Sequence, residues 1–187
     1  FLQQEDGTRH RLRSRGLGEG DQRQEEDWAR CYRLALGTEG KGTDKVPTPA
    51  WMEKILKAEH SPIRTLMWTV RMYDVPYWVA MHLVRHKYGV EWYVQSQRND
   101  RQSRYDRNKA RQDAPVMLTM DANAQALINI SRKRLCYKAA TETRQLWTAV
   151  CNAIIGLNPE MLRVLVPECV YRGKCREMQP CGERDGR

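Results

Sequence analysis

Hydrophobic and polar positions divide the chain into a polar beginning, a patterned middle and a turn-rich end. Residues 1–27 contain almost no apolar side chains and carry both signs of charge. Such a stretch cannot offset the conformational entropy that it would lose on ordering, so we expect a mobile arm. The folded part is predicted to begin near Trp28 and to form one domain, residues 28–187, whose C-terminal tail contains cysteines.

Apolar residues at spacings of three and four predict a series of helices. The clearest start is Thr48-Pro49, where Thr suits the N-cap and Pro suits the first helical position. Other helices are predicted after Trp28 and over roughly 76–87. A further one runs from a cap at Asp121 to about Tyr137, and another from Thr141 to about Ile155, with Gly156 as the stop.

One segment has the period of a strand. Leu66, Trp68, Val70 and Met72 alternate with polar side chains, which is typical of a half-buried β-strand. Further along, residues 99–115 are polar and rich in arginine, and this composition predicts a long loop.

The charge of the chain favours an anionic partner. The net charge is +9, and residues 85–111 hold eight Lys or Arg against three acidic residues. A nucleotide, a phosphorylated cofactor or a nucleic acid would all suit such a segment, and a merely solvated loop is the simpler explanation. No apolar run reaches the length of a membrane span and no secretory signal pattern is present, so we expect a cytoplasmic protein without membrane contact.

Two groups of residues have the sequence spacing of metal ligands. His82 and His86 are four residues apart, but Arg85 and Lys87 would repel a cation and no third ligand is near, so we predict no metal there. Five residues separate each neighbouring pair among Cys169, Cys175 and Cys181. In a reducing compartment these are thiols, and both a metal or redox role and inert thiols remain open. No nucleophile motif is evident.

Two motifs in the right order resemble those of one known family. The first is Arg85-His86-Lys87 followed by Ser96-Gln97-Arg98, and the second covers residues 122–144, with Asn123, Gln125, Asn129 and Arg134 in step. Residues 58–64, AEHSPIR, are similar to a third segment of the same family. Together they resemble the flavin-dependent thymidylate synthases over about residues 28 to 144.

The resemblance implies a fold and a reaction. The fold is mixed α/β (α+β), with a central and mostly antiparallel sheet flanked by helices, and the assembly is a homotetramer with active sites shared between subunits. The reaction converts dUMP to dTMP, with FAD as cofactor and with NADPH and methylene-tetrahydrofolate as co-substrates. The cofactor carries the difficult chemistry, which agrees with the lack of a protein nucleophile.

The resemblance also implies roles for single residues. The residues expected to contact FAD are Arg85, His86, Lys87, Asn123, Gln125, Asn129 and Ser61. The residues expected to contact the nucleotide are His82, Arg85, Ser96, Gln97, Arg98 and Arg134. Arg134 matches the catalytic arginine that polarises the pyrimidine, and the amides that begin its helix suit a phosphate.

This sequence departs from the family pattern at several positions. Lys87 and Gln125 replace arginines, and Glu91 and Tyr93 stand near the places of a serine and an asparagine. Such a pattern fits a divergent, phage-type branch. Transfer to another pyrimidine nucleotide such as dCMP, or hydroxymethylation, therefore stays open. A hypothesis of another class is a nucleic-acid-binding module that uses residues 85–111, although the second motif makes nucleic acid the less expected partner.

Overall fold

The protein is described here from a computed structural model, which defines residues 11–13, 19–101, 106 and 108–182, with side chains from residue 25 onward. The predicted mobile arm, residues 1–27, lies partly outside these ranges. Inside them, Arg11–Arg13 form a short strand and the first helix starts at Glu19. The helix therefore begins earlier than the position near Trp28 that the apolar pattern indicates.

The described part of the chain contains four strands and six α-helices. The strands are β1 (Arg11–Arg13), β2 (Met67–Pro76), β3 (Val90–Val94) and β4 (Pro115–Asn123). The helices are α1 (Glu19–Gly37), α2 (Pro49–Ala58), α3 (Tyr77–Leu83), α4 (Ala124–Arg134), α5 (Thr141–Leu157) and α6 (Glu168–Arg172). Two 3₁₀ helices, Ser61–Thr65 and Pro159–Arg163, connect them.

The four strands form one antiparallel sheet in the order β1-β2-β4-β3. Met120 of β4 lies opposite Val70 on one side and Trp92 on the other. Helices pack against one face of this sheet. The predicted fold class, a mixed fold with a mostly antiparallel sheet and flanking helices, is confirmed.

Alternation along the strands gives the sheet one buried and one exposed face. Val70 and Met72 of β2 are buried, as are Leu118 and Met120 of β4, and their neighbours in sequence point the other way. This is the pattern of an antiparallel sheet with one face on the core. The exposed face nevertheless carries large apolar side chains, Met67, Tyr93 and Met117.

The predicted cap of the second helix is confirmed, and two other boundaries differ from the prediction. Thr48 Oγ1 accepts a hydrogen bond from Trp51 N, and α2 begins at Pro49. Asp121 does not cap a helix; it lies within β4 and accepts a hydrogen bond from Thr69 Oγ1 on the adjacent strand, 2.6 Å away. Because the strand pairing continues past Asp121, the cap falls on Asn123.

The third helix ends at Leu83, several residues before the predicted end. His86 N donates to Leu83 O instead of to the carbonyl four residues back, which turns the chain. As a consequence, Arg85, His86 and Lys87 lie in the connection between α3 and β3. The fifth predicted helix continues through Gly156 to Leu157 rather than stopping at that glycine. No helix in the described ranges is long and apolar enough to cross a membrane.

Gly89 holds this connection close to the start of α4. Its φ is +71°, and a Cβ atom added there would meet the side chain of Asn123 at 2.7 Å. Asn123 N donates to Gly89 O over 2.9 Å, so the two backbones are in direct contact. Only glycine combines the left-handed conformation with this approach at no steric cost.

We expect Gly89→Ala to lower the free energy of unfolding by about 2–3 kcal/mol, from left-handed strain of roughly 1–2 kcal/mol and a disturbed Asn123 cap worth about 1 kcal/mol. Gly40→Ala is the matched control, because Gly40 has a φ of +72° but nothing within 4 Å of the added Cβ. Urea denaturation of both variants separates strain from contact. Equal losses in the two would contradict the close approach.

Candidate active site

Arg134, the last residue of α4, joins the two predicted motifs. Its Nε donates to His86 Nε2 over 2.9 Å, and its Nη2 donates to His82 O over 2.6 Å. His82 O is the carbonyl that loses its helical partner where α3 ends, so the guanidinium satisfies an otherwise unpaired helix terminus. The fold thereby brings together His82, His86 and Arg134, all three of which have predicted site roles.

His86 is neutral at physiological pH. Burial lowers the pKa of His86 to about 4, and the charges of Arg134 and Arg85 act in the same direction. Because Nε2 accepts a hydrogen bond from Arg134, the proton of the neutral ring is on Nδ1. That N–H has no partner among the described residues. The ring therefore offers a neutral donor beside a fixed cation.

His82 has a side chain that faces α5. Its Nδ1 lies 3.1 Å from Thr143 Oγ1, and its ring meets Trp78 edge-on, with centroids 5.2 Å apart. Thr143 is fully buried. The imidazole thus fixes the helices relative to one another, while the backbone carbonyl of His82 holds Arg134.

Positive charge at this site lacks a counter-charge. Neither Arg85, Lys87 nor Arg134 makes an ion pair with a carboxylate in the described part of the chain. Arg85 and Lys87 are exposed, while Arg134 is half-buried, and its pKa is lowered by burial and by the charge of Arg85. Arg134 Nη1 also has no hydrogen-bond partner there. The arrangement is suited to an anion or a polarisable carbonyl.

The two histidines have hydrogen-bond partners within the protein. Among the described residues, no group of three His, Cys, Asp or Glu side chains is arranged to hold a metal ion. His82 and His86 instead make hydrogen bonds to Thr143 and Arg134.

The start of α4 is less available to a ligand than the sequence suggests. Asn123 Oδ1 accepts from Ala126 N over 2.9 Å, and Ala124 N donates to Leu66 O over 3.0 Å. Two of the amides that would bind a phosphate are therefore already paired within the protein. Asn123 is a cap that holds the Gly89 connection, and a phosphate site built from these amides is not supported.

A second cluster surrounds Glu59, which follows α2 in a left-handed conformation with a φ of 54°. Its carboxylate accepts hydrogen bonds from Arg132, from Tyr171 and, over 2.5 Å, from Gln125 Nε2. The Arg132 guanidinium also lies over the Tyr171 ring, 3.8 Å from its centroid. Glu59 therefore connects α2, α4 and α6.

Two of the predicted flavin contacts belong to this cluster. Gln125 Nε2 reaches Asn129 Oδ1 at 3.4 Å in addition to Glu59, so the two residues are neighbours on one face of α4. Arg132 Nη1 contacts the same Asn129 oxygen at 3.4 Å. The Oε1 atom of Gln125 and the Nδ2 group of Asn129 have no partner in the described chain. Ser61 opens the adjacent 3₁₀ helix and is exposed, without a side-chain hydrogen bond there.

Ser96, Gln97 and Arg98 lie at the other end of β3 from the Arg85 connection. The five residues of β3, Val90–Val94, span about 13 Å of extended chain, so the two halves of the motif lie at opposite ends of the strand. Ser96 Oγ accepts from Arg98 N at 3.3 Å. Arg98 itself makes a two-pronged pair with Asp100, at 2.9 and 2.7 Å, on the surface. The buried Gln97 Nε2 has no hydrogen-bond partner.

Glu59, Arg132 and Tyr171 were not singled out from the sequence. Glu59 had a signal, because it stands in the AEHSPIR segment directly before His60-Ser61. Arg132 is one cation of a run that includes Arg134, and no local pattern separates their roles. Tyr171 lies more than a hundred residues from Glu59, and only folding brings the two together.

The Glu59 carboxylate is held ionised. Burial opposes its charge, but the hydrogen bonds from Tyr171, Arg132 and Gln125 outweigh this effect and lower the pKa of Glu59. A carboxyl whose pKa is lower in the folded than in the unfolded state stabilises the fold above the unfolded pKa. That contribution is lost as the pH falls through the folded pKa.

We expect Glu59→Gln to lower the free energy of unfolding at neutral pH by about 2 kcal/mol, since hydrogen bonds to a charged group are lost. The difference in the free energy of unfolding between the variant and the unchanged protein should shrink as the pH falls through the range in which glutamate becomes protonated. Chemical denaturation across that range measures it. Glu53→Gln is the control, because Glu53, on the helix that precedes Glu59, makes a more exposed pair with Arg163. A loss as large as that of Glu59→Gln would contradict the role given to the cluster.

Comparison with known proteins finds similarity at the level of three-dimensional structure. No family model and no curated protein matches the sequence. Among solved structures, the chain is similar to the UMP/dUMP methylase PolB from Streptomyces cacaoi, solved with bound 5-Br dUMP. The TM-score is 0.56 and the identity 13%, and the match covers 75% of this chain and 92% of that one. At this identity the likeness establishes a shared fold.

Proposed function

We propose that this protein methylates dUMP to dTMP, with FAD as cofactor and with NADPH and methylene-tetrahydrofolate as co-substrates. The observation that carries the proposal is the half-buried Arg134, which has no carboxylate partner among the described residues and is fixed against His86 and His82. The shared fold with a protein described as a UMP/dUMP methylase supports a pyrimidine nucleotide as the substrate class.

Arg134 is suited to polarise the pyrimidine. Two of its donor groups are held by His86 Nε2 and His82 O, which fixes the guanidinium plane, and Nη1 remains for a ligand. A preorganised cation aimed at a ring carbonyl stabilises the negative charge that develops there. The neutral His86 keeps this charge at the guanidinium instead of adding a second cation to the contact.

The residues present fit a dinucleotide such as FAD. Arg85 and Lys87 are exposed cations without a carboxylate partner in the described chain, as a diphosphate requires. Gln125 Oε1 and Asn129 Nδ2 are free to bind polar groups of the cofactor, and Ser61, two residues after Glu59, is exposed. When bound, FAD supplies the redox chemistry of the transfer. The chain binds the cofactor, orients it and supplies charge.

The phosphate of the nucleotide is assigned to Ser96, Gln97 and Arg98. These residues are at the far end of β3 from Arg134, so a complete site needs them from a second copy of the chain. A homotetramer with shared sites meets this need, and the apolar side chains Met67 and Met117 on the exposed sheet face give it a surface to bury. The exposed Arg98–Asp100 pair is weak enough to exchange for a phosphate.

We expect purified protein reconstituted with FAD to show the visible flavin absorption and to be bleached by NADPH. With methylene-tetrahydrofolate and dUMP it should release dTMP, identified by mass spectrometry. Parallel reactions with dCMP, and a search for hydroxymethylated product, identify a different pyrimidine or a different transfer.

Protein that stays colourless after reconstitution contradicts the proposal. Binding to DNA or RNA that weakens steeply with salt, without saturable binding of dUMP, would favour the nucleic-acid-binding hypothesis instead.

We expect Arg134→Ala and Arg98→Ala each to abolish turnover, and a mixture of the two to regain about a quarter of it. Random exchange of subunits unites an intact Arg134 of one chain with an intact Arg98 of another at about that share of the sites. Initial rates before and after exchange give the recovery.

The matched control mixes Arg134→Ala with His86→Ala, whose changed residues belong to the same end of one chain, and this mixture should stay inactive. Native mass spectrometry verifies that the subunits exchange. Mixed oligomers without recovery would show that Arg98 and Arg134 do not act from different chains.

A further inference from the structure

A cavity of about 450 Å³ lies where the end of α4, the first half of α5, the start of α6 and the tail after α6 meet. Its volume is in the range of ligand pockets, roughly 300–1,000 Å³. Among the described residues, none of those assigned above to the nucleotide or to the flavin lines it. The cavity is therefore a concave feature separate from the Arg134 site.

The cations of this cavity have no counter-charge. Lys138, Arg144 and Arg176 line it, and none of the three pairs with a carboxylate in the described part of the chain. Arg144 is half-buried, and its guanidinium lies over the ring of Tyr137, 4.4 Å from the centroid. Because a contact with a ring face uses no N–H group, the donors of Arg144 remain for a ligand.

The two carboxylates of the cavity are neutralised by cations that lie outside its lining. Glu168 pairs with Arg172 and, over 3.8 Å, with Arg132, while Glu177 pairs with Lys133 over 3.5 Å. None of these three cations lines the cavity. The local charge that a ligand meets there is consequently positive, and it attracts an anion.

Much of the remaining lining is apolar. Four half-buried thiols behave as small hydrophobic groups, and leucine, proline and tyrosine side chains add further apolar surface. The residues concerned are Leu135, Cys136, Tyr137, Pro167, Cys169, Cys175 and Cys181. An inorganic anion would leave this surface in contact with water. A ligand that carries its negative charge on an apolar body covers both parts of the lining.

We propose that this cavity binds the phosphate monoester of a small organic molecule. The phosphate lies against Lys138, Arg144 and Arg176, and the organic body packs on the apolar lining. At neutral pH a phosphate monoester carries a charge of about −1.5 to −2, which suits several cations better than the single charge of a monocarboxylate. The planar guanidinium of Arg144 matches two phosphate oxygens at once, and Lys138 adds a point charge.

The test uses phenyl phosphate as the probe and the four cavity thiols as local reporters. The full chain is labelled with iodoacetamide, and mass spectrometry of each cysteine peptide gives the rate at each position. We expect saturating phenyl phosphate to slow the labelling of the four thiols several-fold. The fully buried Cys31 and the buried Cys151 should stay unlabelled with or without the probe.

Three other compounds test the two parts of the ligand. Benzyl alcohol has the ring without the phosphate, inorganic phosphate lacks the ring, and benzoate has one charge, so each should protect the thiols much less than phenyl phosphate does. Equal protection by any of the three, or no protection by phenyl phosphate, would overturn the proposal.

Variants test the cations through the concentration of phenyl phosphate that gives half-maximal protection. Arg144→Gln and Arg176→Ala should each raise it about tenfold or more, because a charge-assisted hydrogen bond is lost. Arg176 is exposed, so its replacement does not disturb the core. Lys174→Ala changes an exposed cation of the same tail that does not line the cavity, and it should leave the concentration unchanged.

Arg134→Ala separates this cavity from the candidate active site. The protection of the thiols should persist in this variant, and its loss would overturn the proposal of a separate site. The measurement involves no flavin and no turnover, so its outcome is independent of the proposed methylation.

Discussion

The contact between Arg134 and the end of α3 is the interaction on which the candidate site depends. The helix turns away at Leu83, which leaves His82 O without its usual partner, and the guanidinium supplies the missing donor. The same guanidinium fixes His86. A half-buried cation is costly unless it is compensated, and in the described chain the compensation is a carbonyl and a neutral imidazole only. In the proposed function, the nucleotide substrate supplies the remaining compensation.

Two arginines on one helix illustrate the difference between a charge that is paired with a carboxylate and one that is not. Arg132 is nearly buried and is surrounded by Glu59, Glu168 and the ring of Tyr171. Arg134, two residues later, projects in another direction and has no carboxylate partner there. The helix is built so that one cation secures the domain through Glu59 while the other remains available.

The strand β3 imposes a further constraint, because an extended strand is rigid and separates its ends. The cations of the Arg85 connection lie at its beginning, and Ser96, Gln97 and Arg98 lie beyond its end. Adjacent pairing with β4 along its length prevents the two ends from approaching each other. A function that needs both ends at once therefore calls for a second copy of the chain, which links the proposed chemistry to the proposed assembly.

The sequence by itself determined local features whose cause is local. The Thr48-Pro49 helix start and the alternation of β2 depend on backbone geometry over a few residues, and both are present. The antiparallel sheet and its flanking helices were expected from the resemblance to a known family. The early end of α3 and the cap at Asn123 were missed, because Arg134 and Thr69 stabilise them from distant parts of the chain.

Only the tertiary structure decided which polar residues remain available. Periodicity cannot show that Arg132 pairs with the Glu59 carboxylate while Arg134 has no carboxylate partner in the described chain, since such partners come from other elements. Nor can spacing show that Cys136 shares a pocket with Cys169, Cys175 and Cys181. Charge compensation and the meeting of thiols are properties of packing, so they emerge only when the helices and the sheet are assembled.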